Sequence, residues 1–243
     1  MNSRRLPGKA LAPLAGAPAI VRMLERVRRV RRAAHHLVAT SDAASDDPLA
    51  IACQDRGIPC ARGPLDDVLG RMIAAVPRGC DVVVRLTGDC PLIDPVLVDR
   101  HIERFAEEGP LAQYVSNAVE RTFPDGLDVE VVSLETLAEA GRSATDLFDR
   151  EHVTPWIQRN ARATAVTQRV DLSALRWVLD TPDDYAALSA VYTALHPENP
   201  RFDTRAVCEL LMRRPELVRV ADGASAPDMI ERMSRWLAGE ESR

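Results

Sequence analysis

The 243-residue sequence lacks any excess of positive charge: 31 Lys and Arg residues are set against 36 Asp and Glu, a formal net charge of -5. Proteins that coat nucleic acid use a cationic surplus to displace phosphate counterions, so that role is excluded and any phosphate chemistry must be local. Long apolar runs are also missing; none approaches the roughly 20 residues of a membrane-spanning helix. Cysteine is scarce and odd in number. Cys53, Cys60, Cys80, Cys90 and Cys208 include no C-x-x-C pair and read as reduced core thiols, not as a zinc site or a disulfide frame. The amino-terminal residues carry no apolar secretory pattern, which gives the expectation of a cytoplasmic protein. No repeat or Gly/Ser-rich linker divides the chain, so one domain over residues 1–243 is expected. Lysine is almost absent: of the 31 basic residues only Lys9 is not arginine. Chance explains one exception, but a lone compact ammonium is also what remains where a planar guanidinium cannot serve.

What the sequence does contain is an apolar fraction of 46% against 28% charged residues, the balance of a folded protein with a sizeable core. Ile20, Leu24, Val27 and Val30 fall at helical spacing within Ala19 to Ala34, and Arg26, Arg28, Arg29, Arg31 and Arg32 then form the wet face of that helix. Strand and helix patterns alternate from there. Strands are expected at 36–40, 58–62, 81–86, 114–116, 129–132, 163–170 and 176–179. Helices are expected at 47–56, 66–76, 95–108, 134–140, 151–160, 182–195 and 204–212. The β-branched run within 81–86 has the character of a central, buried strand. This succession implies a three-layer α/β/α sandwich around a mostly parallel sheet, with ligands at the carboxyl ends of its strands.

Three loops carry polar chemistry at such positions. Arg4-Arg5-Leu6-Pro7-Gly8-Lys9 joins a rigid proline, a glycine that lets backbone N–H groups approach phosphate, and three cations within six positions; taken alone it reads first as an ordinary basic turn, and it lacks the P-loop frame. Val82-Val83-Val84-Arg85-Leu86-Thr87-Gly88-Asp89 runs an apolar strand into a carboxylate suited to Mg²⁺ or, equally, to a turn. Arg176-Trp177-Val178-Leu179-Asp180-Thr181-Pro182 again ends a strand in a carboxylate. There Thr181 is an N-cap and Asp184 its capping-box partner, which leaves Asp180 without a structural task. Asp128 and Glu130, two residues apart, share one face of a strand.

These loops, with Val38-Ala39-Thr40-Ser41-Asp42, Asp66-Asp67-Val68-Leu69-Gly70-Arg71, Pro124-Asp125-Gly126-Leu127-Asp128-Val129-Glu130 and Arg150-Glu151-His152-Val153-Thr154-Pro155, resemble the sugar-activating cytidylyltransferases. The resemblance is to the spore-coat polysaccharide branch, related to CMP-KDO and CMP-acylneuraminate synthetases. It spans about two hundred residues in ordered blocks. It implies a nucleotide-diphospho-sugar transferase-like fold, CTP and an acidic sugar as substrates, Mg²⁺ as cofactor, release of pyrophosphate and a homodimer. Arg5 and Lys9 would hold the triphosphate together with Leu6, Pro7 and Gly8; Asp89 and Asp180 would hold the metal. Thr40, Ser41, Asp42, Arg71, Thr87 and Gly88 would lie at the nucleotide, and Asn117, Asp128, Glu130 and His152 at the sugar.

Against that family pattern, the first apolar strand and a Gln-Ala-Arg-type segment before the phosphate loop are missing. The expected consequence is exposure of two neighbouring strand edges and loss of part of the site. Two other functions compete: a glycosyltransferase of similar fold, weakened by the absence of a D-x-D motif at Asp89-Cys90-Pro91, and a non-catalytic nucleotide-binding remnant.

Overall fold

The computed structural model describes Ser3 and residues 5–239. In chain order the elements are β1 (Pro13–Leu14), β2 (Ala17–Pro18), α1 (Ala19–Val27), β3 (Val38–Ser41), α2 (Asp47–Gln54), β4 (Cys60–Gly63), α3 (Val68–Ala75), β5 (Val82–Arg85) and α4 (Pro95–Glu107). Then come β6 (Tyr114–Ser116), β7 (Glu130–Ser133), α5 (Leu134–Ser143), α6 (Leu147–His152), α7 (Thr154–Asn160), β8 (Ala163–Ala165), α8 (Pro182–Leu195), α9 (Thr204–Arg213) and α10 (Ala226–Leu237).

Side-chain caps fix where many helices begin. Asp94 accepts from the Val96 N–H with Pro95 in the first turn of α4, and Thr181 and Asp184 form the reciprocal capping box of α8 that the sequence predicts. Several sequence expectations need correction. Arg26, expected on the wet face of its helix, is buried and donates to the Ile93 and Phe202 carbonyls. Helix α1 ends at Val27, well short of residue 34. The helix expected over 151–160 is two helices, broken at Val153, whose φ of 72° no continuous helix can hold; His152 ends α6 and begins nothing. Strand β8 stops at Ala165, because past Val166 the chain is tied to Thr122 through Gln168. Residues 176–179 form no strand; Arg176 makes only an isolated bridge with Asp125.

The largest sheet has the order β5-β7-β6-β8, with β7 antiparallel to both neighbours and β6 parallel to β8. Strands β5, β6 and β8 therefore run one way and β7 alone is reversed. Strands β3 and β4 form a separate parallel pair. Neighbouring residues on a strand face opposite sides, and β5 shows it: Val84 packs into a core cluster with α1, α4 and α8, Val83 into a second with α3, α5 and α7. Helices cover both faces, so the architecture is α/β/α.

Between β3 and β5 the sheet is interrupted by an apolar cleft of about 680 Å³. Strand β5, expected to be central and buried, stands at a sheet edge, and Val82 is 40% exposed. Tyr114, Val115 and Val131, on strands that do have neighbours, are fully buried.

Candidate active site

Backbone hydrogen bonds bring the two acidic loops together. The Leu179 N–H donates to the Asp89 carbonyl at 2.7 Å, and the Trp177 N–H donates to the Asp125 carbonyl at 2.7 Å. The 176–179 segment is thereby laid against the turn that follows β5. Asp180 is the last residue before the N-cap of α8 and is carried to Asp89 by that pairing. Gly126 makes the approach possible: its φ is 109°, and a Cβ there would lie 2.5 Å from the Trp177 carbonyl carbon.

Opposite the carboxylates, Arg5 to Lys9 form a tight turn. The Lys9 N–H donates to the Leu6 carbonyl at 3.2 Å, and Gly8 takes the left-handed conformation, φ 72°, at the start of a short 3₁₀ turn over Lys9–Leu11. The turn aims Lys9 at both acids: its Nζ lies 2.7 Å from Asp89 Oδ2 and 3.2 Å from Asp180 Oδ1. Arg5 reaches Asp180 Oδ2 at 2.5 Å from a mostly exposed position. Residues 80 and 171 positions away in sequence thus meet on one ammonium. Burial alone would raise the Asp89 carboxyl, but the ammonium beside it brings it below its ordinary value. Burial likewise opposes the charge on Lys9, and the two carboxylates outweigh it and raise the amine.

Thr87 and Gly88 line the apolar cleft, and Thr87 also lines a second, polar cavity of about 400 Å³. That cavity collects Asp128, Glu130 and His152, together with Arg85, Arg121, Thr154 and Gln158, although Asp128 precedes β7 and so does not share a strand face with Glu130. Arg121 grips Asp128 through two hydrogen bonds of 3.0 and 2.8 Å. Glu130, nearly buried, accepts from Arg85, from Tyr114 Oη at 2.8 Å and from Thr154 Oγ1 at 2.6 Å. His152 stacks on Phe148 with ring centroids 4.3 Å apart.

Other residues singled out in the sequence have structural engagements. The hydroxyls of Thr40 and Ser41 donate to the buried Asp46 at 2.6 and 2.7 Å, and the Ser41 N–H joins them. Burial pushes Asp46 up, and hydrogen-bond donors, these among them, more than reverse it, holding the carboxyl far below its usual range. Only Asp42, at the end of β3, is exposed. Arg71 donates to the Pro64 carbonyl, close to the ends of β3 and β4. Asn117 is buried with both ends of its amide taken: Nδ2 donates to Leu127 O and Oδ1 accepts from the Val129 N–H, each at 2.8 Å. It staples the approach to β7 and does not line the polar cavity.

Sequence reasoning passed over Arg85, Arg121 and Arg176. Arg176 pairs with Asp184 at 2.9 Å and so anchors the start of α8 beside Asp180. In an arginine-rich sequence their pairing could have been sought only through the carboxylates already singled out, Asp128, Glu130 and Asp184.

Comparison with known proteins places this geometry. The chain is 33% identical over 230 residues to the spore coat polysaccharide biosynthesis protein SpsF of Bacillus subtilis, covering 89% of this chain and 92% of that protein. It is 34% identical over 137 residues to a 3-deoxy-manno-octulosonate cytidylyltransferase of Geobacter sulfurreducens, 55% of this chain and 53% of that protein. The structure of a cytidylyltransferase from Leptospira borgpetersenii superposes with a TM-score of 0.85 at 27% identity, over 93% of this chain and 95% of that one. The fold is accordingly that of the nucleotide-diphospho-sugar transferases. Because residues 1–191 also match the family described as cytidylyltransferase, the chain belongs to the cytidylyltransferase family.

Proposed function

We propose that the protein transfers CMP from CTP to a hydroxyl of an acidic sugar, releasing pyrophosphate, with Mg²⁺ as cofactor, in surface-polysaccharide synthesis in the cytoplasm. The observation that carries this reading is the convergence of Asp89 and Asp180 on one ammonium beside a glycine turn. Two carboxylates already satisfied by a cation are the donor set that Mg²⁺ takes, leaving its other positions to water and phosphate oxygens. Among the described residues no group of three His, Cys, Asp or Glu side chains is placed for a metal, so the site would rely on those two and the substrate. A bound Mg²⁺ would supply charge neutralisation at the reacting phosphate.

The chain's own residues would do the rest. Lys9 and Arg5 are positioned to exchange their carboxylate partners for the phosphates of CTP and to stabilise charge that grows on departing pyrophosphate. Gly8, half-buried in the left-handed conformation and without a Cβ, would allow phosphate oxygens close approach to the backbone. The polar cavity beginning at Thr87 would seat the sugar, whose hydroxyl attacks the α-phosphorus in line, so that catalysis is mainly positioning and electrostatics. Arg121 already holds a carboxylate in a two-point grip, which supports an acidic sugar taking over from Asp128.

A pyrophosphate-release screen of four nucleoside triphosphates against acidic and neutral sugars tests the reading. Release with CTP and an acidic sugar is expected. Release of a nucleoside diphosphate from a nucleotide sugar, with no pyrophosphate from any pair, would instead establish a glycosyltransferase.

A further inference from the structure

We propose that Phe148 is a specificity-determining residue of the polar cavity, its ring the platform on which a C–H face of the acceptor sugar stacks. This deepens the proposed function and rests on it. The sequence has only four phenylalanines. Phe105, Phe123 and Phe202 are buried, whereas Phe148 is 56% exposed and lines the polar cavity with His152. The same cavity is lined by two arginine–carboxylate pairs, Arg85 with Glu130 and Arg121 with Asp128. An aromatic ring set among such groups adds nothing to a core; what it offers is contact with the cavity's occupant.

The ring is held from behind. Asp146 caps α6 by accepting from the Phe148 N–H at 2.7 Å. Phe148 and His152 are one helical turn apart, the spacing at which side chains meet, and their rings are tilted at 54°. The residues between them tie the short helix down. Asp149 is buried and accepts from Arg159 of α7 at 2.6 Å, and Arg150 donates to Asp67, the N-cap of α3, at 2.6 Å.

A sugar is amphipathic in the way this cavity is. Its hydroxyls and carboxylate need polar partners such as Arg121 and Gln158, while the C–H bonds of a ring face carry a slight positive charge that the negative face of an aromatic ring attracts. Ala118 and Pro155 add carbon surface to the same cavity. Stacking of this kind is made alike in the bound sugar and in the transition state, so it acts on the sugar KM and not on kcat.

The test uses CTP with 3-deoxy-manno-octulosonate, N-acetylneuraminate and glucuronate, followed by pyrophosphate release and by saturation-transfer NMR with the protein's aromatic protons irradiated. In the parent, saturation should pass to ring C–H protons of the sugar that binds. Phe148→Ala is expected to abolish that transfer and raise the sugar KM about tenfold, with kcat and the CTP KM within about twofold of the parent. Phe148→Trp should restore both readouts, and Phe148→Leu, apolar but without an aromatic face, should restore neither fully. An unchanged sugar KM in Phe148→Ala overturns the proposal, and so does full rescue by leucine, which would reduce the ring to bulk. A fall in solution mass in Phe148→Ala, with KM following protein concentration, overturns it as well by assigning the ring to contact with a second copy. Saturation transfer that is lost in Phe148→Ala, without pyrophosphate release from any pair, would sink the transfer reaction and keep the stacking; a parent that passes saturation to none of the three sugars sinks the stacking.

Discussion

Lys9 stands where a divalent cation would compete with it. One ammonium bridges Asp89 and Asp180, so under the proposed function a metal entering between them would displace Lys9 and free it for a phosphate. Lys9→Met keeps the apolar stem and removes the charge. Titrated with Mn²⁺ alone and followed by electron paramagnetic resonance, the variant should bind metal about tenfold more tightly than the parent, while losing most pyrophosphate release. Unchanged Mn²⁺ affinity would show that the ammonium and the metal do not share the carboxylates. Thr40 and Ser41 teach the converse at this scale: a polar trio at a strand end reads as a ligand site, yet the two hydroxyls face inward to Asp46.

At the scale of elements, the site depends on how closely segments without regular structure can pack. The 176–179 segment has no ladder to hold it; it is fixed by single backbone bonds to Asp125, Asp89 and Arg219 and by the glycine at 126. Gly126→Ala forces a backbone shift against Trp177 and Val178 in addition to an unfavourable positive φ. The expected loss is about 3 kcal/mol in urea unfolding, together with weaker Mn²⁺ binding because Asp180 lies only a few residues further on. A variant as stable as the parent would mean the segment can retreat without cost. Val153, fully buried at φ 72°, is another strained point; it turns the chain between α6 and α7 so that His152 and Thr154 both line the polar cavity.

For the whole molecule, burial of titratable groups sets how stability varies with pH. His101 is fully buried, with Nδ1 against the Leu97 carbonyl at 2.8 Å, and burial lowers its pKa from 6.5 to about 4. A depressed folded value means the unfolded chain binds the proton first. The stabilisation is thus complete above pH 6.5 and is lost as pH falls from 6.5 towards about 4, amounting to about 3 kcal/mol. Below that, Asp46, Asp67, Asp89 and Asp184, all held under their ordinary 3.8, add further loss as they are protonated. Chemical denaturation between pH 7 and pH 4 should show the histidine slope, and His101→Leu should flatten it. An unchanged slope in that variant would assign the acid sensitivity elsewhere. The division of the sheet at the β3–β5 cleft is the other property of the whole, since among the described residues it leaves each of those strands with one unpaired edge.

Most of the strands and helices and the capping box at Thr181 and Asp184 were legible in the sequence, because propensity and capping act within a few residues. So was the suspicion attached to Lys9, Asp89 and Asp180, through residue type and position at apparent strand ends. Their convergence was not legible, nor was the inward turn of Thr40, Ser41 and Asn117. Those depend on contacts between residues far apart in the chain, made by backbone bonds such as Leu179 to Asp89 and by a close approach that only a glycine at 126 permits. Local pattern determines which elements form; only packing decides which polar atoms are left facing the cleft.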